Sequence, residues 1–307
     1  MTARAAMFAL RSAALAVAVG ACVGAAPAAA HEGVARPAVR AHASIIGGQP
    51  VPQGQISSVA DIVDIHGKEG DQCTGTVVAP TLVLTAGHCA VDARTGALNS
   101  AHGYQVLTGT ASGEGTEGQV STVSGVLLFE GYRRRVDTGD AALLVLSSPT
   151  MAPPIAIATT TQIRHASAGM TATVVGWGDT RFAQPEITMR LHSAETVVQS
   201  KHWCVRNARP FFARSEICAI DPPAYSTGAC HGDSGGPLLA PVGEAGAVVV
   251  IGVTVHGYAR CSTRMPTVYT RADRLAAWVR TWIAAYTPPA VSTPAPASPE
   301  VPATPSP

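Results

Sequence analysis

The chain has 307 residues, with 21 Lys and Arg, 20 Asp and Glu, and a formal net charge of +1. This balance excludes the strongly basic surface that a nucleic-acid partner requires. Charged residues make up 13% of the chain, against about 25% in typical domains, and the plentiful Gly, Val, Thr, Ser and Pro favour short strands joined by tight turns.

The first thirty residues have the pattern of a signal peptide. Arg4 and Arg11 precede an apolar run over 13–23, and small residues follow at 28–30, so we expect cleavage before His31 and secretion. The run is shorter than the roughly 20 apolar residues that cross a bilayer, which predicts no transmembrane span. The sequence VGAC ending at Cys22 also resembles the lipobox of bacterial lipoproteins, so a lipid anchor on Cys22 is the alternative.

Residues 31–44 form a short polar segment that we interpret as a propeptide. The sequence Ile45-Ile46-Gly47-Gly48 follows it, and a processed N terminus at Ile45 is expected. From there to about Thr267, runs of four to eight apolar, β-branched residues alternate with Gly, Pro, Asn or Asp, which predicts an antiparallel all-β fold. The clearest predicted strands are 76–78, 81–85, 104–107, 120–129, 141–146, 170–175 and 247–255.

One helix is predicted in the second half of the chain, over 271–284. Its apolar residues recur every three or four positions and should pack on the sheet; they are Leu275, Trp278, Val279, Trp282 and Ile283. The tail, 285–307, is rich in Pro, Ala, Thr and Ser and cannot bury enough apolar surface to become ordered. The folded domain is therefore predicted to span 45–284.

Seven cysteines are present, and setting Cys22 aside leaves an even number in a chain expected to be secreted. These six cysteines are Cys73, Cys89, Cys204, Cys218, Cys230 and Cys261. They predict three disulfides, although composition alone permits 15 pairings. The sequence implies no cofactor and no metal; Glu114 and Glu117 lie close together in a Gly-rich loop, which is a weak calcium signal at most.

Three short segments carry the residue types of nucleophilic acyl transfer. They are Thr85-Ala86-Gly87-His88-Cys89, Thr138-Gly139-Asp140-Ala141-Ala142-Leu143-Leu144 and Gly232-Asp233-Ser234-Gly235-Gly236-Pro237. A serine hydroxyl such as that of Ser234 is a poor nucleophile unless a base takes its proton, and an imidazole that titrates near neutrality, such as His88, can do so. A carboxylate, here Asp140, would fix the imidazole tautomer. We prefer Asp140 to the nearby Asp137 because Asp140 leads directly into an apolar strand.

These segments, in this order, resemble the histidine, aspartate and serine segments of the trypsin and chymotrypsin family over about residues 45–284. The segments Val175-Gly176-Trp177-Gly178 and Pro266-Thr267-Val268-Tyr269-Thr270-Arg271 resemble the family too. The resemblance implies two six-stranded antiparallel β-barrels with the active site in the cleft between them. It also implies an oxyanion hole formed by the N–H groups of Gly232 and Ser234, and the disulfide pairs Cys73–Cys89, Cys204–Cys218 and Cys230–Cys261.

The resemblance further implies activation by proteolysis, in which Asp233 pairs with the new amine of Ile45. The chain departs from the family here, because Ser44 precedes Ile45 where Arg or Lys is usual, and the nearest basic residue is Arg40. Cleavage after Arg40 followed by trimming is one route. The activating protease is therefore not indicated by the sequence.

Substrate preference should depend on a pocket that the resemblance maps to Gly228 at its base, Ala229 beside it, and Gly257 and Thr267 on its walls. Gly228 supplies no charge for Lys or Arg, and Thr267 resembles the elastase wall that admits small side chains. We therefore expect a small or medium uncharged residue before the scissile bond.

The segment ending at Gly257 also departs from the family's Ser-Trp-Gly, because Val255 and His256 fill the first two positions. The strand should still pair with the substrate backbone. Losing the serine hydroxyl weakens the support of Asp140, and His256 alters the neighbouring subsites.

The sequence thus predicts a secreted serine endopeptidase that acts on protein or peptide substrates, with proteinaceous inhibitors as further candidate partners. Two alternatives stay open: a catalytically silent binding module with the same fold, and an esterase-type hydrolase. The intact set of His88, Asp140 and Ser234 argues against the silent module.

Overall fold

The structure is a computed structural model that describes residues 45–65, 71–114, 117–166, 168–179 and 189–286. The predicted signal peptide and propeptide lie outside the described residues, as does the tail after Tyr286. Of the helices in the described part of the chain, none combines the length and the apolar character needed to cross a membrane.

The described chain is dominated by β-strands. The strands are β1 (Gln49–Pro50), β2 (Val59–Asp64), β3 (Asp71–Ala79), β4 (Leu82–Thr85), β5 (Tyr104–Thr108), β6 (Gln119–Leu128), β7 (Ala142–Leu146), β8 (Thr171–Gly176), β9 (His192–Val198), β10 (Glu216–Ile220), β11 (Pro237–Ala240), β12 (Val249–His256) and β13 (Thr267–Arg271). The α-helices are α1 (Thr160–His165), α2 (Lys201–Asn207) and α3 (Ala272–Tyr286).

The first barrel contains β2 to β7 in the spatial order β2-β3-β4-β7-β6-β5, and antiparallel pairing of β2 with β5 closes it. Its interior is filled by small and branched side chains from every strand, as a barrel of this size requires. The most buried of them include Ile62, Val83, Val106 and Leu144. All four are at most 1% exposed, so this barrel has its own apolar core.

The second barrel contains β8 to β13, and pairing of β8 with β9 closes the order β9-β10-β13-β12-β11-β8. The short strand β1 adds to β9 at residues 192 and 193. The core of this barrel includes Val174, Leu238, Ile251 and Tyr269, and Ile45 from the start of the described chain packs into it at 0% exposure. The fold is therefore two six-stranded antiparallel barrels, as the sequence predicted.

The two barrels are joined by direct hydrogen bonds and by a third apolar cluster, which includes Val59, Val175 and Trp177. Trp177, which follows β8 and is 1% exposed, donates its indole N–H to the carbonyl of Val59 at 3.3 Å. Its backbone N–H donates to the hydroxyl of Thr74, in β3, at 3.0 Å. A buried bond of this kind satisfies a polar group that would otherwise be costly to bury, so the barrels have a fixed relative position where the cleft forms.

The C-terminal helix α3 packs its apolar face as predicted, and it does so against both barrels. Leu275 and Val279 are buried against Leu84 and Leu143, and Trp278 meets Phe129 edge to face with ring centroids 5.3 Å apart. The helix extends from residue 272 to 286 rather than from 271 to 284. A helix at the end of the second barrel thus also holds the first.

Each of the seven predicted strand segments coincides with a strand, with ends that differ by a few residues. Ala247 and Val248 lie in the turn before β12 rather than in the strand. The sequence missed six strands and two helices: β1, β2, β9, β10, β11, β13, α1 and α2. The strands among these are short or contain polar and charged residues, so their period-two hydrophobicity is weak. Helices α1 and α2 have only 6 and 7 residues, too few for a clear helical period.

The three disulfides join the pairs that the family resemblance implies. They are Cys73–Cys89, Cys204–Cys218 and Cys230–Cys261, with sequence separations of 16, 14 and 31 residues. Each typically contributes about 2–4 kcal/mol of stability. The first holds the segment of His88 to β3, and the third joins Cys230, which shortly precedes Ser234, to Cys261.

Candidate active site

His88 and Asp140 come together because the strands beside them are paired. β4 ends at Thr85, and His88 opens a single turn of 3-10 helix over 88–90. Asp140 lies two residues before β7, and Thr85 is the register partner of Ala142 at that end of the β4–β7 pair. The pairing of two buried, apolar strands therefore fixes the separation of the two side chains.

Asp140 is fully buried and accepts two hydrogen bonds from His88. Its Oδ2 lies 2.7 Å from Nδ1 of the imidazole, and its Oδ1 accepts the backbone N–H of His88 at 2.8 Å. A Cβ at residue 87 would lie 3.0 Å from Oδ1, so Gly87 leaves room for this close approach. The two-point contact orients the imidazole and leaves its Nε2 to face the cleft.

The pKa of His88 is raised above its ordinary value of 6.5. Burial is the largest single influence and lowers it, but the charge of Asp140, its hydrogen bond to Nδ1 and the more distant charge of Asp137 together outweigh burial. The side chain of His88 is 34% exposed. It is thus open to the cleft on one side while its charged form is stabilised on the other.

Ser234 lies at the centre of a glycine-rich turn that docks onto the first barrel. Its carbonyl accepts the N–H of Thr74 at 2.8 Å, and the next N–H, of Gly235, donates to Thr254 at 2.8 Å. Gly235 has a φ of +83°, and a Cβ there would lie 2.1 Å from the hydroxyl oxygen of Thr85. Only glycine fits such a position without a shift of the backbone.

The expected oxyanion donors are free to bind a ligand. Gly232 has a φ of +89°, and its carbonyl accepts the hydroxyl of Thr74 at 2.8 Å. Among the described residues, no acceptor takes the N–H of Gly232 or of Ser234. Within the described residues, the hydroxyl of Ser234 is not hydrogen-bonded to His88. A bond of this kind often tightens only when substrate is bound.

Asp233 is fully buried beneath the same turn and is surrounded by backbone N–H groups. It accepts hydrogen bonds from Cys230 at 2.8 Å, from Gly178 at 2.9 Å and from the N–H of Ile45. Burial raises the pKa of Asp233 to about 7, although these three bonds lower it. The structure thus brings Ile45 and Asp233 together, and among the described residues no cationic group forms an ion pair with this carboxylate.

The four residues expected to form the specificity pocket are also brought together. Gly228 pairs with Ile46 through two backbone hydrogen bonds, and the hydroxyl of Thr267 accepts the N–H of Ala229 at 3.2 Å. A Cβ at residue 257 would lie 2.7 Å from the carbonyl oxygen of Ala229, so Gly257 lies against the backbone of Ala229. Thr267 is buried, at 4% exposure.

Val255 and His256 end β12 next to this pocket. The register between β12 and β13 shifts between Thr254 and His256, and Val255 at the irregularity is buried. Across it, the hydroxyl of Thr270 donates to the carbonyl of Asp140 at 3.0 Å. His256 is half-buried and its ring meets Tyr258 edge to face, with centroids 5.9 Å apart.

Sequence reasoning missed two threonines that assemble the site. Thr74, in β3 of the first barrel, binds the segments of Trp177 and Ser234 through its N–H and its hydroxyl, and Thr270 links β13 to the segment of Asp140. The only sequence signal for these two residues was their neighbours, since Thr74 follows a cysteine and Thr270 lies in a segment that resembles the family. Their hydroxyls act across a long sequence separation, which a local pattern does not reveal.

One group of side chains in the described ranges is close enough to hold a metal ion. It comprises Cys73, His88 and Cys89. The two cysteines are joined in a disulfide, so neither can supply the thiolate that a metal site needs.

Comparison with known proteins gives a consistent result. The family model described as Trypsin matches residues 45–279. The chain is 29% identical over 204 residues to a protein named "Trypsin" from Saccharopolyspora erythraea, covering 66% of this chain and 83% of that protein. It is 28% identical over 254 residues to a "Trypsin-like protease" from Streptomyces glaucescens, covering 78% and 84%.

Solved structures show the same architecture. The structure described as "Structure of GrC" superposes with a TM-score of 0.66 and 22% sequence identity, over 78% of this chain and 100% of that one. At this identity the likeness concerns the fold.

Proposed function

Since the chain belongs to the trypsin family over residues 45–279, we propose that it is a serine endopeptidase that forms an acyl-enzyme on Ser234. The observation that carries this proposal is the contact between a buried Asp140 and His88 at 2.7 Å, next to the turn of Ser234. The raised pKa of His88 fits a group that must hold a proton after it takes one.

The proposed reaction follows from these positions. His88 accepts the proton of Ser234 as the hydroxyl attacks the substrate carbonyl, and Asp140 stabilises the imidazolium that forms. The N–H groups of Gly232 and Ser234 bind the developing oxyanion. His88 then donates the proton to the leaving amine, and water hydrolyses the acyl-enzyme by the same steps in reverse.

The uncharged pocket favours a small or medium side chain before the scissile bond. Gly228 provides no carboxylate, and Thr267 reduces the space above it. We expect this preference even though the curated relatives are named trypsins, because the residue at the base of the pocket differs from the aspartate of trypsin-like enzymes.

Activation by cleavage before Ile45 is part of the proposal. A new ammonium group at Ile45 would lie beside Asp233 and bring a positive charge to this buried carboxylate. The disulfides and the predicted signal peptide favour an extracellular location, and residues 31–44 would be removed as a propeptide.

The test is covalent labelling with a fluorophosphonate followed by peptide hydrolysis. Secreted protein that begins at Ile45 should label and cleave peptides, whereas the Ser234→Ala variant should do neither. Labelling of Ser234→Ala, or no labelling of protein with an Ile45 N terminus, would contradict the proposal. An esterase would hydrolyse simple esters but leave peptide libraries intact, and a silent binding module would do neither.

A further inference from the structure

A cavity of about 580 Å³ lies beside the second barrel, between helix α2 and two loop segments. Trp203, Arg206 and Asn207 line it from α2, and Tyr225 and Arg264 line it from the loops. Its volume falls within the range of about 300–1,000 Å³ that small-molecule sites have. None of the residues assigned above to the proposed reaction or to the specificity pocket lines it. The cavity is therefore a space that the proposed reaction does not use.

Two arginines from different elements give this cavity a positive charge. Arg206 lies on α2 and Arg264 on the segment before β13, and both residues are exposed. Neither forms an ion pair with a described residue, and of the described residues that line the cavity none is acidic. The guanidinium of Arg206 donates to Nε2 of His202, one turn earlier on the same helix, which brings no negative charge. Both guanidinium groups thus remain for an anion from outside the chain.

The carboxylate in the loop of Tyr225 is used to shape that loop. Asp221 accepts the N–H of Ser226 at 3.0 Å, its hydroxyl at 2.8 Å and the N–H of Thr227 at 3.3 Å. The carbonyl of Asp221 also accepts the N–H of Tyr225 at 2.9 Å. These four bonds hold the loop in place, so this acid serves the loop and not the two arginines.

Disulfides hold the other two walls of the cavity. The bond between Cys204 and Cys218 ties α2 to β10, and the bond between Cys230 and Cys261 holds the segment that leads to Arg264. A site whose walls are already fixed loses little conformational entropy when a ligand binds. The cavity is therefore formed before any ligand arrives.

The rest of the lining is aromatic and apolar. Trp203 and Tyr225 are half-buried, and Met265 and Pro266 add apolar atoms. Aromatic faces favour planar groups, and guanidinium groups bind carboxylate or phosphate oxygens in pairs. An inorganic anion would leave the apolar walls without contact, whereas an uncharged ring would desolvate the guanidinium groups without pairing them.

We infer that this cavity binds an organic anion, namely an aromatic ring that carries a carboxylate or a phosphate. The anionic group would bind Arg206 and Arg264, and the ring would pack against Trp203 and Tyr225. The inference goes beyond the proposed peptidase reaction and does not depend on it, since no residue of that reaction contacts the ligand.

Calorimetric titration of full-length Ser234→Ala protein tests the site without interference from proteolysis. Phenyl phosphate and phenylacetate are the anionic probes, phenylacetamide is the uncharged match, and inorganic phosphate lacks the ring. At least one anionic probe should bind about tenfold more tightly than phenylacetamide and inorganic phosphate, the size of one charge-assisted hydrogen bond or one aromatic contact. The tighter of the two anionic probes identifies the anionic group.

Arg206→Gln and Arg264→Gln should each weaken binding of that probe by about tenfold, because each removes one charged donor. Arg206→Lys keeps the charge but lacks the planar fork, so it should bind less tightly than the parent and more tightly than Arg206→Gln. Tyr225→Asn removes the ring, and asparagine tolerates the φ of +48° at this position. This variant should weaken binding of the aromatic probe but not of inorganic phosphate.

Lys201→Gln is the matched control, since it removes one positive charge from an exposed position on α2 that does not line the cavity. It should bind the probe as the parent does. Thermal unfolding checks that every variant is folded, and a bound probe should raise the unfolding temperature of the parent.

Three outcomes would overturn the inference: no binding of either anionic probe at millimolar concentration, equal weakening in Lys201→Gln, or unchanged binding in both arginine-to-glutamine variants. Failure of the active protein to react with a fluorophosphonate would instead contradict the proposed function.

Discussion

The two halves of the candidate site are built in different ways. His88 and Asp140 lie at the ends of paired strands of one barrel, with a buried carboxylate and a helical Gly87 at φ −67°. Ser234 lies in a turn with two glycines at positive φ, and beneath it is a buried Asp233 that meets Ile45. The first half is thus set by one barrel, whereas the second needs contacts from the far end of the domain.

Asp140→Asn should disrupt the half of the site formed by His88 and Asp140 and give the largest effect on kcat. The asparagine amide would favour the wrong imidazole tautomer, so kcat should fall by about 10⁴ while the fold is retained. Steady-state kinetics and thermal unfolding measure the two quantities. Glu130→Gln is the charge control, and a fall of less than tenfold for Asp140→Asn would remove Asp140 from the mechanism.

Asp233 should make the free energy of unfolding of the uncleaved chain depend on pH. Its pKa is about 7 in the folded protein and 3.8 when unperturbed, so the folded state holds an extra proton between these values. This proton stabilises the folded state. Its contribution to the free energy of unfolding is fully present below pH 3.8 and is lost as pH rises to about 7, by on the order of 4 kcal/mol from the difference in pKa. Denaturation of uncleaved Ser234→Ala protein at several pH values measures this loss.

Asp233→Asn in the same uncleaved background should lose this pH dependence. Cleavage before Ile45 should remove it as well, because the new ammonium stabilises the carboxylate in the folded state. A slope that persists in the Asp233→Asn protein would assign it to another group.

Gly232→Ala tests the half of the site that carries Ser234. A Cβ at this position would lie 2.7 Å from Cα of Gly178, so the turn must shift and the oxyanion donor moves. Loss of one such donor costs about 10²–10³ in kcat. Gly54→Ala is the control, since Gly54 has a φ of +83° but no atom within 4 Å of an added Cβ; equal losses in both variants would point to backbone strain alone.

Val255→Ser should give the smallest effect on kcat. Val255 lies in the second barrel, and a serine there would act on Asp140 of the first. A hydroxyl at the family's serine position would give Asp140 a further donor beside the two N–H groups of His88, so we expect kcat to rise by a few-fold, the scale of one hydrogen bond. Val253→Thr adds a hydroxyl to the same strand and should only destabilise. A lower kcat for Val255→Ser would mean that the hydroxyl finds another partner.

Much of the fold and the candidate site could be predicted from the sequence. Seven strand segments had clear periodicity, and three motifs placed His88, Asp140 and Ser234 in chain order. Strands such as β2 and β10 were missed because Asp61, Asp64 and Glu216 interrupt their apolar pattern. Asp61 and Glu216 are buried in the structure, Glu216 with its carboxylate bound to the N–H of Phe212 at 2.6 Å.

The surroundings of Asp137 and of Thr74 could not be predicted in the same way. Asp137 differs from Asp140 by its left-handed backbone, and the neighbouring Arg133 and Arg134 donate to backbone carbonyls. The sequence displays neither feature. Thr74 matters because it meets Gly232 and Trp177, more than 100 residues away. Contacts at such separations depend on how the barrels close.

The sequence by itself determined the chemistry, because residue types and their local spacing fix which groups can act as nucleophile, base and orienting carboxylate. It also determined the all-β class, through short apolar runs between turn residues. The tertiary structure alone decided which groups meet: Asp140 with His88, Ile45 with Asp233, and Thr74 with Gly232 and Trp177. Pairing and burial between distant segments set those contacts and the pKa values that follow from them.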